Sequence, residues 1–140
     1  IYRYGNLSYK DVLNEKWSVR TGLSYTMIEN NVDTDNFSIL DREAGVHVKT
    51  VAEGSLSDQV ELKAGTEWIG RRHEYGISEQ PELNVNEDIT AAFAETDFYL
   101  SNSFVTRAGI RAEYNAMMDQ WIADPRISVA MKTGTQGQVS

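Results

Sequence analysis

One parity of this sequence is free of charge over most of its length. Through residues 17–27, 44–52, 60–70, 90–100, 104–114 and 127–131, every second residue belongs to a set that runs Trp17, Val19, Thr21, Leu23 and onward to Ile127, Val129 and Met131, with no Asp, Glu, Lys or Arg. The intervening parity holds Arg20, Lys49, Glu61, Lys63, Glu67, Arg71, Glu95, Asp97, Arg107, Arg111, Glu113 and Arg126. Successive side chains of a β-strand point to opposite faces, so this pattern prescribes strands with one uncharged and one charged face. Val, Thr, Tyr, Phe and Trp are frequent, which favours the same template.

Seven strands are predicted, at 1–10, 17–29, 43–53, 59–73, 89–101, 104–115 and 124–133. Most exceed the roughly 5–6 residues of an ordinary globular strand and match the roughly 9–11 of a tilted membrane-spanning one. The first is ambiguous, because neither Tyr2, Tyr4 and Asn6 nor Arg3, Gly5 and Leu7 make a clean apolar set; a bulge or an edge position accounts for that. Connections alternate in length. Short links at 13–16, 54–58, 102–103 and 134–137 alternate with long polar loops at 30–42 and 75–88, the latter holding Pro81, and a medium loop at 116–123. Short turns on one rim and longer loops on the other are the habit of outer-membrane barrels.

A soluble sandwich or lipocalin-like barrel also alternates. The aromatics separate the two readings. With the short turns at one rim, Trp17, Phe98 and Phe104 lie near that rim, and Tyr25, Trp68 and Tyr114 lie near the other. Two aromatic girdles around an aliphatic band suit a barrel in lipid. A soluble core places its large rings centrally. The fold expectation is therefore all-β: an antiparallel up-and-down meander of about seven strands, part of a transmembrane β-barrel, with residues 1–140 a single segment of it. The charged residues named above are expected to line the lumen.

Composition narrows the function classes. The 140 residues carry a net charge of -8, which argues against nucleic acid as partner. The absence of cysteine removes disulfides and thiolate metal sites. No signal peptide is read at Ile1, and no apolar run approaches the roughly 20 residues of a membrane helix. Asp33-Thr34-Asp35-Asn36 opens like a calcium loop but lacks the glycine and distal glutamate of an EF-hand. His47 and His73 stand apart without a metal spacing, so no metal or other cofactor is expected. No nucleophile elbow, phosphate loop or HExxH is present, so no catalytic residue is assigned. Glu95 and Asp97 are expected to pair with Arg107 or Arg111 across a hairpin. Trp121, with Met117 and Met118, is read as outer-loop packing.

Several stretches resemble the barrel strands of TonB-dependent outer-membrane receptors, the Bacteroidetes kind especially. Residues 15–26, EKWSVRTGLSYT, look like one of their hairpins. Residues 91–101, AAFAETDFYLS, are similar to an AYxExxYxLS strand. Residues 104–114, FVTRAGIRAEY, are like a GxRxEY strand, and residues 124–130, DPRISVA, resemble PRxSxA. The resemblance implies a 22-stranded barrel with a plug, of which this chain is a part. It implies a bacterial outer-membrane location, lipid around the barrel, a TonB-type inner-membrane energiser acting through the plug, and uptake of a small-molecule or oligomeric nutrient. A soluble all-β binding module and a barrel outside the TonB class, such as a porin, are the alternatives.

Overall fold

The computed structural model describes residues 1–34, 37–78, 83–133 and 137–139. It is built from β1 (Tyr2–Val12), β2 (Trp17–Thr34), β3 (Phe37–Ser57), β4 (Val60–Ile77), β5 (Leu83–Ser101), β6 (Phe104–Asn115), β7 (Gln120–Thr133) and the short β8 (Gly137–Val139). They form one sheet in sequence order, each strand antiparallel to the next. The chain is an all-β meander, as the alternation requires, with a three-residue eighth strand added.

The strands are longer than the sequence reading placed them. The polar stretches at 30–42 and 75–88 are mainly strand, not loop: pairing continues from Glu29↔Arg42 to Thr34↔Phe37, and from His73↔Val85 to Tyr75↔Leu83. Asn, Asp and Ser suggested loop there, yet Val32, Ile39, Tyr75 and Leu83 alternate with them and keep the strand period. Residues 35–36, 79–82, 134–136 and 140 lie outside the description, and with them Pro81, half of the calcium-like run and most of the last turn signal. Gly54 and Ser55 also belong to β3, which reaches Ser57 through an irregularity between Ser55 and Ser57.

Side chains set the visible turns. The Asn14 carboxamide oxygen accepts from the backbone N–H groups of Lys16 and Trp17, both at 2.9 Å, closing the first hairpin. The Asn115 carboxamide oxygen accepts from Met117 and Met118 N–H at 3.0 and 3.1 Å. Asp119 then takes a left-handed φ of 51°, which Asp tolerates better than most residues, and starts the chain back into β7.

Among the described residues no second layer covers either face. Among the described residues the only buried apolar side chain is Ala91, at 3% exposure. A sandwich would bury one face of this sheet against another sheet about 10 Å away. Here Leu23, Trp68, Ile110 and Ile127 of the uncharged face are exposed.

Candidate functional site

The register assigns faces without reference to composition, because residues directly opposite in a ladder share a face. On the uncharged face the rows run Trp17–Gly54–Leu62–Thr96–Ala108–Ile127, Thr21–Thr50–Thr66–Ala92–Ala112–Ala123 and Leu23–Val48–Trp68–Thr90–Tyr114–Trp121. β1 joins this face through Leu7 opposite Leu23 and Tyr9 opposite Thr21, with Arg3 and Asp11 toward its ends. Its pairing with β2 is continuous, so no bulge accounts for the mixed pattern of β1.

Two tryptophans of this face lie across glycines. A Cβ on Gly54 would sit 2.3 Å from the Trp17 ring, and one on Gly70 would sit 2.8 Å from the Trp68 ring. The missing side chains give each indole a flat bed. Trp121 is a strand residue opposite Tyr114, their ring centroids 5.1 Å apart, and not a loop residue. The loop reading failed because the 116–123 segment contains only a four-residue turn, 116–119.

The uncharged band has oblique edges. At one end its first charged residues are Glu29 on β2, Arg42 on β3, Arg72 on β4 and Asp88 on β5. The row of Glu29 and Arg42 meets β5 at Asn84, four residues before Asp88. At the other end the row of Trp17 meets β6 at Ala108, four residues past Phe104. Each edge thus drops about 13 Å along the strands over about 14–19 Å across them. A slope of about 35–45° is the tilt of strands to the axis in closed membrane barrels.

Beyond the band the polarity of the two faces reverses. On the parity that was uncharged, Arg42 pairs with Glu29 at 3.3 Å and Glu74 at 3.4 Å, and Arg72 pairs with Glu74 at 2.8 Å. On the parity that was charged, the same hairpins present Val32, Ile39, Tyr75, Ile77, Leu83 and Val85, with Asp41, Glu43 and His73 among them. The sequence reading missed this reversal by ending its strands too early.

Every residue expected to line a lumen falls on the charged face. The rows are Glu61–Asp97–Arg107, then Lys63–Glu95–Gly109–Arg126, then Arg20–Val51–Gly65–Phe93–Arg111, then Lys49–Glu67–Ala91–Glu113, with Arg71 opposite Glu87. Arg107 grips Asp97 through two bonds of 2.6 and 2.7 Å, a fork geometry that strengthens both. Glu61, directly opposite Asp97, would be repelled by it; instead Arg107 neutralises Asp97, and the Tyr99 hydroxyl donates to Glu61 at 3.1 Å. Arg111 does not pair with Glu95, as the sequence left open; it reaches Glu67 at 2.6 Å and Glu113 at 3.0 Å.

Glu67 is the hub of this face. It also meets His47 at 2.6 Å and Lys49 at 3.7 Å. The Lys49 ammonium sits 5.1 Å above the Phe93 ring, and that ring fills space that a side chain at Gly65 would occupy. Arg20, Lys49, Lys63, Arg111 and Arg126 border a concavity of about 390 Å³ shared with Glu53 and Glu95. His73 faces Asp41 at 2.7 Å. Among the described residues no three His, Asp or Glu side chains converge on a metal position.

No family model and no curated protein matches the chain. Solved structures do. Over 92% of its length it superposes on a copper transporter, OprC, with a TM-score of 0.72 and 11% identity. Over 96% it superposes on the ferric yersiniabactin uptake receptor FyuA from Yersinia pestis, with a TM-score of 0.55 and 12% identity. In both cases the chain spans 26% of the solved chain's length. At these identities the likeness is one of fold: the chain has the antiparallel meander found in a stretch of a copper transporter and of an uptake receptor.

Proposed function

We propose that this chain is a wall segment of a closed outer-membrane β-barrel, in a receptor of the TonB-dependent class, with its uncharged face toward lipid and its charged face toward the lumen. The observation that carries this reading is the oblique band, charge-free from β2 to β7, with reversed polarity beyond it. Lipid requires an apolar exterior only over the hydrocarbon thickness, and solvated extensions require the opposite. A soluble all-β module would need a core, and among the described residues the sheet buries no apolar side chain but Ala91. The remaining strands of the barrel, and a plug within it, belong to sequence outside these 140 residues.

The likeness in fold to a transporter and an uptake receptor supports transport over catalysis. In this role the chain's residues do mechanical and electrostatic work. The Glu67 and Asp97 networks hold the inner wall rigid and polar, and the projecting β2–β3 and β4–β5 hairpins stand at the outer mouth. The resemblance of residues 91–101 and 104–114 to strands of TonB-dependent receptors supports nutrient import with an inner-membrane energiser as partner.

The test uses the full-length protein in its host. It is expected in the outer-membrane fraction, with its SDS mobility altered by boiling. Uptake of its nutrient is expected to stop when the proton-motive force is dissipated. Recovery in the soluble fraction would overturn the barrel reading. Uptake that persists without the proton-motive force would replace the receptor by a passive pore.

A further inference from the structure

We propose that the ligand is amphipathic and cationic, and that it is first held on the inner wall of the projecting hairpins. This deepens the receptor reading and rests on it for which way the wall faces. The wall is formed where polarity reverses. Val32, Ile39 and Ile77 share one row, Tyr75 and Leu83 the next with Asp41, and Val85 the next with Glu43 and His73. Val32 is 50% exposed and Leu83 61% exposed, a cost in water that a ligand with apolar surface relieves.

Charge complementarity fixes the sign of the ligand. The charged groups facing this wall are Asp41, Glu43 and Glu87 against Arg71 and His73, with the neutral phenols of Tyr75 and of Tyr2 and Tyr4 on β1; β2 contributes only Thr26, Ile28, Asn30 and Val32 in the same rows. Arg71 is taken by Glu87 at 3.5 Å, and His73 by Asp41 at 2.7 Å. Glu43 has no ion pair among the described residues, and it borders a concavity of about 410 Å³ shared with Ser24, Thr26, His47 and Arg71. An unpaired carboxylate beside apolar side chains selects a cation that brings its own apolar surface.

Tetraphenylphosphonium and tetraphenylborate test this, because they share shape and differ in sign. Binding of each to the purified full-length protein in detergent is measured against empty micelles. The phosphonium is expected to bind at least about tenfold more tightly than the borate. Glu43→Gln is expected to erase most of that preference. Ile39→Asn is expected to weaken the phosphonium while the fold, read by circular dichroism, persists. Equal binding of the two ions, a preference untouched by Glu43→Gln, or no binding of either ion overturns the proposal. Phosphonium binding that behaves as expected in a protein whose uptake is not energised sinks the energised-receptor reading alone.

Discussion

Arg111 on β6 reaches over β5 to place its guanidinium 2.6 Å from the carboxylate of Glu67 on β4. The residue beneath the span is Ala91, opposite both Glu67 and Glu113 in the register and the one apolar side chain that the described sheet buries. The bridge therefore depends on a small residue at 91, and it ties three strands where neighbouring ladders tie two.

Ala91→Leu forces that span apart. It is expected to destabilise the full-length protein by about 1–3 kcal/mol, in the range of overpacking a filled site. Unfolding in detergent followed by circular dichroism measures it; an unchanged midpoint would mean that the bridge is free to move aside.

Glu67→Gln leaves Arg111, Lys49 and His47 facing a neutral amide. Glu67 is 10% exposed and Arg111 22% exposed at the side chain, so solvent screens the pair only in part. A double-mutant cycle with Arg111→Gln is expected to give a coupling energy of about 0.5–3 kcal/mol. Simple additivity of the two variants would show that the contact holds nothing together.

Asn115 and Asp119 together shape the β6–β7 turn. Asn115→Ala removes the acceptor for two N–H groups and is expected to cost about 1–2 kcal/mol. Asp119→Val places a β-branched residue at φ 51° and is expected to cost about 1–3 kcal/mol, whereas Asp119→Asn, which tolerates that conformation, stays within about 0.5 kcal/mol. Equal stability of the Val and Asn variants contradicts the turn assignment.

Depth along the uncharged face sets the cost of a charge. Ala64→Arg, mid-band, is expected to destabilise the protein in bilayers by about 2–4 kcal/mol, and Ala44→Arg, at the band's edge, by about 0–1 kcal/mol from depth with up to about 1 kcal/mol more from facing Arg72. Folding titrations into lipid vesicles give both numbers. The same cost at both positions removes the band.

Much of this was legible in the sequence. Parity alone put Trp17, Trp68 and Tyr114 on one face and Glu67, Asp97 and Arg107 on the other, and the register agrees. The strand ends were not legible, because Asn30, Asn31 and Asp33 carry loop composition while their partners Asp41, Leu40 and Ser38 hold them in the ladder. Reversed polarity hid there as well, since a parity test tuned to an uncharged face ends where Glu29 and Arg42 begin. Nor can spacing disclose that Arg111 passes over Ala91 to Glu67, which depends on side-chain length across a non-adjacent strand. Trp121 was misplaced because the turn before it is shorter than its polar composition implied.

The central claim is that one face meets lipid, and nitroxide accessibility measures it most directly. Single labels are introduced at Val48 and Ala64 on the uncharged face and at Ser24 and Ser128 on the charged face, in a full-length protein freed of any cysteine outside these 140 residues. In the full-length protein in bilayers, labels at Val48 and Ala64 should collide with oxygen and be shielded from a water-soluble nickel chelate, while Ser24 and Ser128 should lack that oxygen-rich signature. Labels at Val48 and Ala64 shielded from both reagents, as in a protein core, or open to the chelate, as on a soluble surface, would contradict the account.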